Sequence, residues 1–317
     1  MMPRLRKYLA PYVITLLGAA GSPLAAQTQL IIVSGLGGEP RYTTEFSQLS
    51  TALAKAASER AGLPDSAITW LGEATSTKSR WYRGTSTREN LERALARASG
   101  STSKSPVILM LIGHGSGEGP ETRVSLPGPD MTALDFSRVL SAFGERQVAF
   151  LNLSSASGDM LSIIAAKNRV VMTATKSAFE RNESRFARHF VDALALDGAD
   201  TDKDGRISLL EAYKFAETET KRFYENEGRL ATEHAQMADE GMLAGRFFLS
   251  SGAAGAGPAS GRLASLYQER SALDEQIQDL KRRKSSMSAD AYDNELEKLL
   301  LALANKSKEI RDLEKGS

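Results

Sequence analysis

The stretch Val148–Met160, VAFLNLSSASGDM, decides the fold. Its first part, Val148–Leu153, is apolar apart from Asn152, and a run of small residues, Ser154–Gly158, follows at once. A short apolar run bounded in this way reads as a strand covered on both faces, as in a parallel sheet held between helices. A second stretch has the same form: Val107–Gly115, VILMLIGHG, breaks at Gly113-His114-Gly115. In open α/β sheets, ligands and reactive groups collect beyond the carboxyl ends of the strands. The sequence therefore offers His114 and Ser155 at two neighbouring strand ends, the arrangement that a histidine-assisted nucleophile requires.

Working outward, the same alternation continues. Gln29–Ser34 is a first strand, ending at Gly35-Leu36-Gly37-Gly38. That turn lacks the spacing of a dinucleotide fingerprint, and no Lys-Ser/Thr follows it, so close backbone packing is its expected use. A helical period follows over Thr43–Ala61, then a short strand at Ile68–Leu71. Ser86-Thr87-Arg88-Glu89 has capping-box spacing and opens a helix through Leu91, Leu95 and Ala98. Ser116–Asp130, rich in Gly and Pro, is expected to be an extended surface loop. Thr132 caps the next helix, with Leu134, Phe136, Val139 and Leu140 as its buried stripe. After the strand at Val148 come a helix at Met160–Ala166, a strand at Arg169–Ala174 and a helix over Glu183–Leu196. Phe247–Ser250 is expected to be the last strand. Strand alternating with helix argues for a three-layer α/β domain around a mostly parallel sheet, spanning residues 27–250.

Composition narrows the function classes. The chain has 317 residues, 41% hydrophobic and 25% charged, with a net charge of +1. No basic surface points to nucleic acid. There is no cysteine, which removes disulfides, thiolate metal sites and thiol nucleophiles together. Residues 1–26 read as a signal peptide: Arg4, Arg6 and Lys7 precede the apolar Tyr8–Ala20, and Leu24-Ala25-Ala26 offers small residues for cleavage. The apolar run is shorter than the ~20 residues a spanning helix needs, so a secreted or periplasmic protein without a stable membrane span is expected.

The sharpest motif is Asp200–Glu211, DTDKDGRISLLE. Asp200, Asp202 and Asp204 alternate as carboxylates, Gly205 permits the tight turn, and Arg206 offers its carbonyl. Ser208 takes the water-bridged position and Glu211 can bind through both oxygens. This is the EF-hand pattern, and its hard oxygen donors on a flexible loop predict Ca2+ as the cofactor. No second such loop exists, which favours a structural staple over a switch.

With these pieces in place, the chain resembles the caspase-like peptidases, most closely the legumain-like branch. The resemblance rests on the strand ending in Gly113-His114-Gly115 and the strand ending in Ser154-Ser155-Ala156-Ser157-Gly158, and covers roughly Gln29–Phe248. It implies that His114 stands at the catalytic histidine and Ser155 at the position of the nucleophilic cysteine. The departure at that position matters more than the match. A thiol is already a few per cent thiolate near neutral pH, whereas a serine needs a base fixed by a third group. Glu118 and Asp159 are the nearest acidic candidates for that third group. The expectation is a catalytically silent member of the family; the alternative is an active peptidase or esterase using Ser155 and His114.

His189 lies on an amphipathic helix. His234 follows a helix and returns toward the sheet. Lys176, Glu180, Arg181, Glu183 and Arg185 read as a solvated, salt-bridged loop. Residues 251–261 are a flexible Gly/Ala-rich linker, and residues 262–317 a helical hairpin. Leu266, Leu273, Ile277, Leu280 and Met287 form one seam, interrupted at Arg270 and Lys284. Tyr292, Leu296, Leu299, Leu303, Ile310 and Leu313 form the other, interrupted at Lys306. A hairpin of this size has little core of its own, so a protein partner or self-association through these helices is expected, with folding back onto the parent domain as the alternative.

Overall fold

The computed structural model describes residues 28–73, 78–101, 105–195, 197–201, 205–249 and 262–315. The expected signal peptide, the linker 251–261 and the calcium-loop residues Asp202 and Asp204 lie outside the described residues. The parallel strands are β1 (Gln29–Ser34), β2 (Ile68–Gly72), β3 (Tyr82–Thr85), β4 (Val107–Ile112), β8 (Val148–Asn152) and β9 (Arg169–Thr173). Together with antiparallel β10 (Gln236–Ala238) they form a seven-stranded sheet in the order β10-β9-β8-β4-β1-β2-β3. The β4 run VILMLI is buried at every position, as a strand covered on both faces demands.

Alternate residues of each strand feed two cores. Leu30, Ile32, Ile108, Met110, Leu151 and Met172 pack beneath α1 (Pro40–Lys55), α5 (Arg185–Ala195) and α6 (Leu209–Asn226). Ile31, Val33, Leu109, Leu111, Phe150 and Val171 pack beneath α2 (Arg88–Ser99), α3 (Ala133–Ser141) and α4 (Met160–Ile164). The result is the three-layer, mostly parallel α/β architecture that the strand pattern predicts. The chain progresses outward from β1 in one direction through β2 and β3, and in the other through β4, β8 and β9. The switch point therefore lies between the carboxyl ends of β1 and β4, where a crevice opens.

Four local expectations are corrected. The expected last strand, Phe247–Ser250, is not a sheet strand over its described residues 247–249: Phe248 makes an isolated bridge to Ser208, and the sheet's edge beside β9 is β10 at Gln236–Ala238. The segment 116–130 is not a plain loop, since β5 (Gly115–Ser116), β6 (Arg123–Val124) and β7 (Met131–Thr132) pair as a small antiparallel sheet. The cap of α2 is Thr87, whose side chain accepts from Asn90 N, while the Ser86 hydroxyl donates to the Ser34 carbonyl 2.6 Å away. Leu134 is 53% exposed, because α3 turns Ala133, Phe136 and Leu140 inward instead.

Beyond residue 261, α7 (Arg262–Arg282) and α8 (Ala289–Lys315) run as the expected helical hairpin. Tyr292 and Ile310 are buried, with Leu296, Leu299 and Leu303 partly covered between them. Lys306 does not break this seam: its ammonium lies 2.7 Å from Glu269 on the facing helix. The foot of α7 touches the parent domain, with Arg246 Nη1 3.4 Å from Asp279 Oδ1 and Arg282 donating to the Gly241 carbonyl. Among the described residues, no helix is long and apolar enough to cross a membrane.

Candidate functional site

The register of β4 against β8 pairs Leu111 with Asn152, and Leu153 N donates to the Leu111 carbonyl. One step further, the strand ends bring the His114 and Ser155 segments side by side. Gly115 N donates to Ser155 Oγ at 3.4 Å. The approach is close enough that a Cβ on Gly115 would lie 2.3 Å from the Ser155 carbonyl oxygen. Glycine after His114 is thus a steric requirement of this juxtaposition.

His114 is held at the β1–β4 switch point. Its ring meets the Tyr42 and Phe46 rings edge-on, at centroid distances of 4.5 and 5.0 Å. Both aromatics project from the first turns of α1, one helical turn apart. Burial pushes the imidazole below its ordinary pKa, with a hydrogen bond to the Gly37 backbone and the fields of Glu183 and Glu39 acting in the opposite sense. The glycine turn after β1 is therefore the mount of His114. Gly37 N in turn donates to Glu73 Oε2 at 3.0 Å, and the Thr43 hydroxyl donates to the same oxygen at 2.7 Å. A Cβ on Gly37 would come within 2.4 Å of Thr43 N, which is the close packing expected of this turn.

Neither acidic candidate orients the ring. Asp159 accepts from Gly119 N at 2.8 Å and Ala178 N at 3.3 Å, so it ties two loops together. Glu118 precedes a short 3-10 turn at Gly119–Glu121. Among the described residues, no hydrogen bond joins His114 to Ser155, and no carboxylate bonds the imidazole.

Ser155 is only 3% exposed. The residue after it, Ala156, is held at a positive φ of 51°, an unfavourable conformation for a side chain with a Cβ. Ala156 N donates to the Glu180 carbonyl at 2.8 Å, which clamps the turn under the loop that follows β9. The other serines of the turn are structural: Ser154 Oγ donates to Asn152 Oδ1, and Ser157 Oγ accepts from Ala174 N.

The calcium-loop residues that are described sit at the mouth of α6. Gly205 N donates to Asp200 Oδ2 at 2.9 Å, and Gly205 has the left-handed φ of 80°. Glu211 Oε1 accepts from Thr201 N and Oγ1, both at 2.9 Å, so the two ends of the loop meet. Its other oxygen accepts from Ser208 N and Oγ in a capping box. The Arg206 guanidinium lies over the Phe248 ring at 3.9 Å. Among the described residues, which omit Asp202 and Asp204, no three acidic or imidazole side chains gather as a metal cluster.

Glu180, Glu233 and His234 form a connected set outside the His114 and Ser155 motif. Glu180, read as part of a solvated cluster, receives His234 N at 3.0 Å and faces His234 Nδ1 at 2.5 Å. Glu233 is buried and caps α5, accepting from Ser184 Oγ, Arg185 N and Phe186 N at 2.8–3.2 Å. Acidic residues beside a histidine, Glu233-His234 and Glu180, were the available signal. His189 is half-buried on α5, its ring pushed below the ordinary value by burial.

No protein-family model matches the chain, and no curated protein matches it. Similar solved structures include drICE, with 8% identity over 68% of this chain and 87% of that one, at a TM-score of 0.41. Caspase-1 from Spodoptera frugiperda is similar to the same extent of both chains, again at 8% identity, with a TM-score of 0.44.

Proposed function

We propose that residues 27–250 form a caspase-like, legumain-like domain that is catalytically silent, and that the protein is a secreted or periplasmic binding or scaffolding protein stapled by calcium. One observation carries this reading. The serine at the nucleophile position accepts a hydrogen bond from Gly115 N and has none to the imidazole beside it. That imidazole is fixed by a backbone glycine and two aromatic edges where a working serine nucleophile needs a base braced by a carboxylate. The hairpin, with Leu300 and Leu301 exposed on α8, is the arm proposed to meet a protein partner or a second copy.

The donor set fits calcium. Asp200 and Glu211 are hard carboxylates at the two ends of a loop already closed by their hydrogen bonds, and Ser208 starts the helix between them. Asp200, Asp202, Asp204, the Arg206 carbonyl, Ser208 through water, and Glu211 would hold the ion. Its charge would replace the Thr201 and Ser208 donors that now occupy Glu211.

A fluorophosphonate probe tests the silent reading. No labelling at Ser155 of the mature chain is the expected result. Labelling that His114→Ala abolishes would establish the alternative, a peptidase or esterase working through Ser155 and His114. That alternative draws on Gly115 N beside Ser155 Oγ and on an imidazole whose charged form burial disfavours.

A further inference from the structure

Two consecutive side chains, Glu233 and His234, grip both ends of the segment 180–186. Glu233 binds its far end, at Ser184 Oγ, Arg185 N and Phe186 N. His234 binds its near end, through Glu180, both from the backbone N–H and from the ring. The Glu180 carboxylate is tucked in at 11% exposure and also accepts from Lys176 N at 2.9 Å, with the Lys176 ammonium 3.7 Å away. The same residue's carbonyl holds Ala156 N, directly after Ser155.

The strap carrying these two residues, 229–235, is itself anchored on α6. Tyr224 Oη lies 3.0 Å from the Thr232 hydroxyl and 3.2 Å from Glu233 Oε1, and Tyr213 Oη donates to the Ala235 carbonyl at 3.0 Å. The strap then enters β10, the sheet's antiparallel edge. The contacts differ in character. Glu233 is 3% exposed and belongs to the core, whereas the His234 side chain is 46% exposed and meets Glu180 at the surface.

From this arrangement we infer that the His234–Glu180 contact is a latch that keeps the Ser155 turn covered, and that the strap 229–235 is its arm. The turn it restrains is strained at Ala156, so release of Glu180 gives the turn a downhill way to move. The contact lies at the surface and outside α5 and α6, so it can open while both helices stay folded. This device operates whether Ser155 is silent or reactive, so it stands apart from the reading of the site.

The chain's lack of cysteine makes the latch directly measurable. In the full chain, Ser155→Cys introduces a single thiol whose alkylation by iodoacetamide reports access to the turn. The expected rate is far below that of a free thiol at the same pH. Adding His234→Ala should raise it by roughly fivefold, the scale of one partly exposed hydrogen bond to a carboxylate. Adding His234→Gln, which keeps a donor toward Glu180, should hold the rate near the parent value. Ala193→Cys, a thiol placed in the buried face of α5, serves as the control with the same second substitutions. Faster alkylation at position 155 with an unchanged rate at position 193 supports the latch. Equal acceleration at both positions would mean general loosening and overturn it, as would a fully reactive thiol at position 155 before the latch is touched. An unchanged rate in His234→Ala overturns it too.

Discussion

His114 and His234 are the two imidazoles near the same turn, and their surroundings are inverted. His114 is the histidine that the strand-end motif offers as a base, yet its neighbours are two aromatic edges and a backbone glycine. His234 lies on a strap with no catalytic motif, yet it has a carboxylate facing Nδ1 at 2.5 Å. A carboxylate beside Nδ1 fixes tautomer and ring orientation, which is what a general base needs from its third group. Here the carboxylate–imidazole contact joins the strap 229–235 to the loop that follows β9. A position matched by resemblance carries over the residue type, while the partners that would make it reactive have to be found separately.

The comparison breaks first at the strap's buried half. Glu233→Ala strips the acceptor from Ser184, Arg185 N, Phe186 N and Tyr224 inside the core. Lost capping and unsatisfied donors together should cost roughly 3 kcal/mol, read as a lower urea midpoint. His234→Ala, at the exposed half, should cost no more than about 1 kcal/mol. Equal losses would mean that the two halves of the strap are not distinct in kind. Calcium would test the same contrast, because Ser208 caps α6, Glu211 lies in its first turn, and the helix carries Tyr213 and Tyr224 to the strap. Calcium at a hundred times its Kd should raise stability by about 2.7 kcal/mol. Asp200→Ala should abolish that gain, and a melting temperature indifferent to calcium and chelator would remove the metal from the account.

Much of the frame was legible because β1, β4, β8 and β9 are runs of apolar residues that fit one kind of place. The strands β3, YRGT, and β10, QMA, have no such run and pair only because a finished sheet offers them an edge. The same division holds at the site. His114 and Ser155 stand out because glycines and serines end their strands. Gly37, Tyr42, Phe46 and Glu73 come from the other side of the switch point, and the links from Gly37 to Glu73 and to His114 run through backbone atoms that no side-chain pattern encodes. Glu180 was hidden by its company: four charged neighbours made it look solvated, while its contact with position 234 depends on a strap returning from α6.

The smallest expected effect concerns the protonation of His114. Burial sets its folded pKa below the ordinary imidazole value of 6.5, so the folded chain binds that proton less readily than the unfolded chain does. The stability tied to the neutral ring is fully present above about pH 6.5 and is lost as pH falls through the folded value. His189 is shifted in the same direction by its own burial, so the chain retains some acid sensitivity when His114 is replaced. The clean measurement is the difference between the parent and His114→Gln, followed by urea unfolding from pH 8 to pH 5. The parent should lose more stability than the variant over that range. Parallel curves would show that the aromatic edges and the Gly37 carbonyl accommodate the imidazolium as well as the neutral ring. His114 would then be as free to charge as any surface histidine, and the contrast with His234 would rest on hydrogen bonding alone.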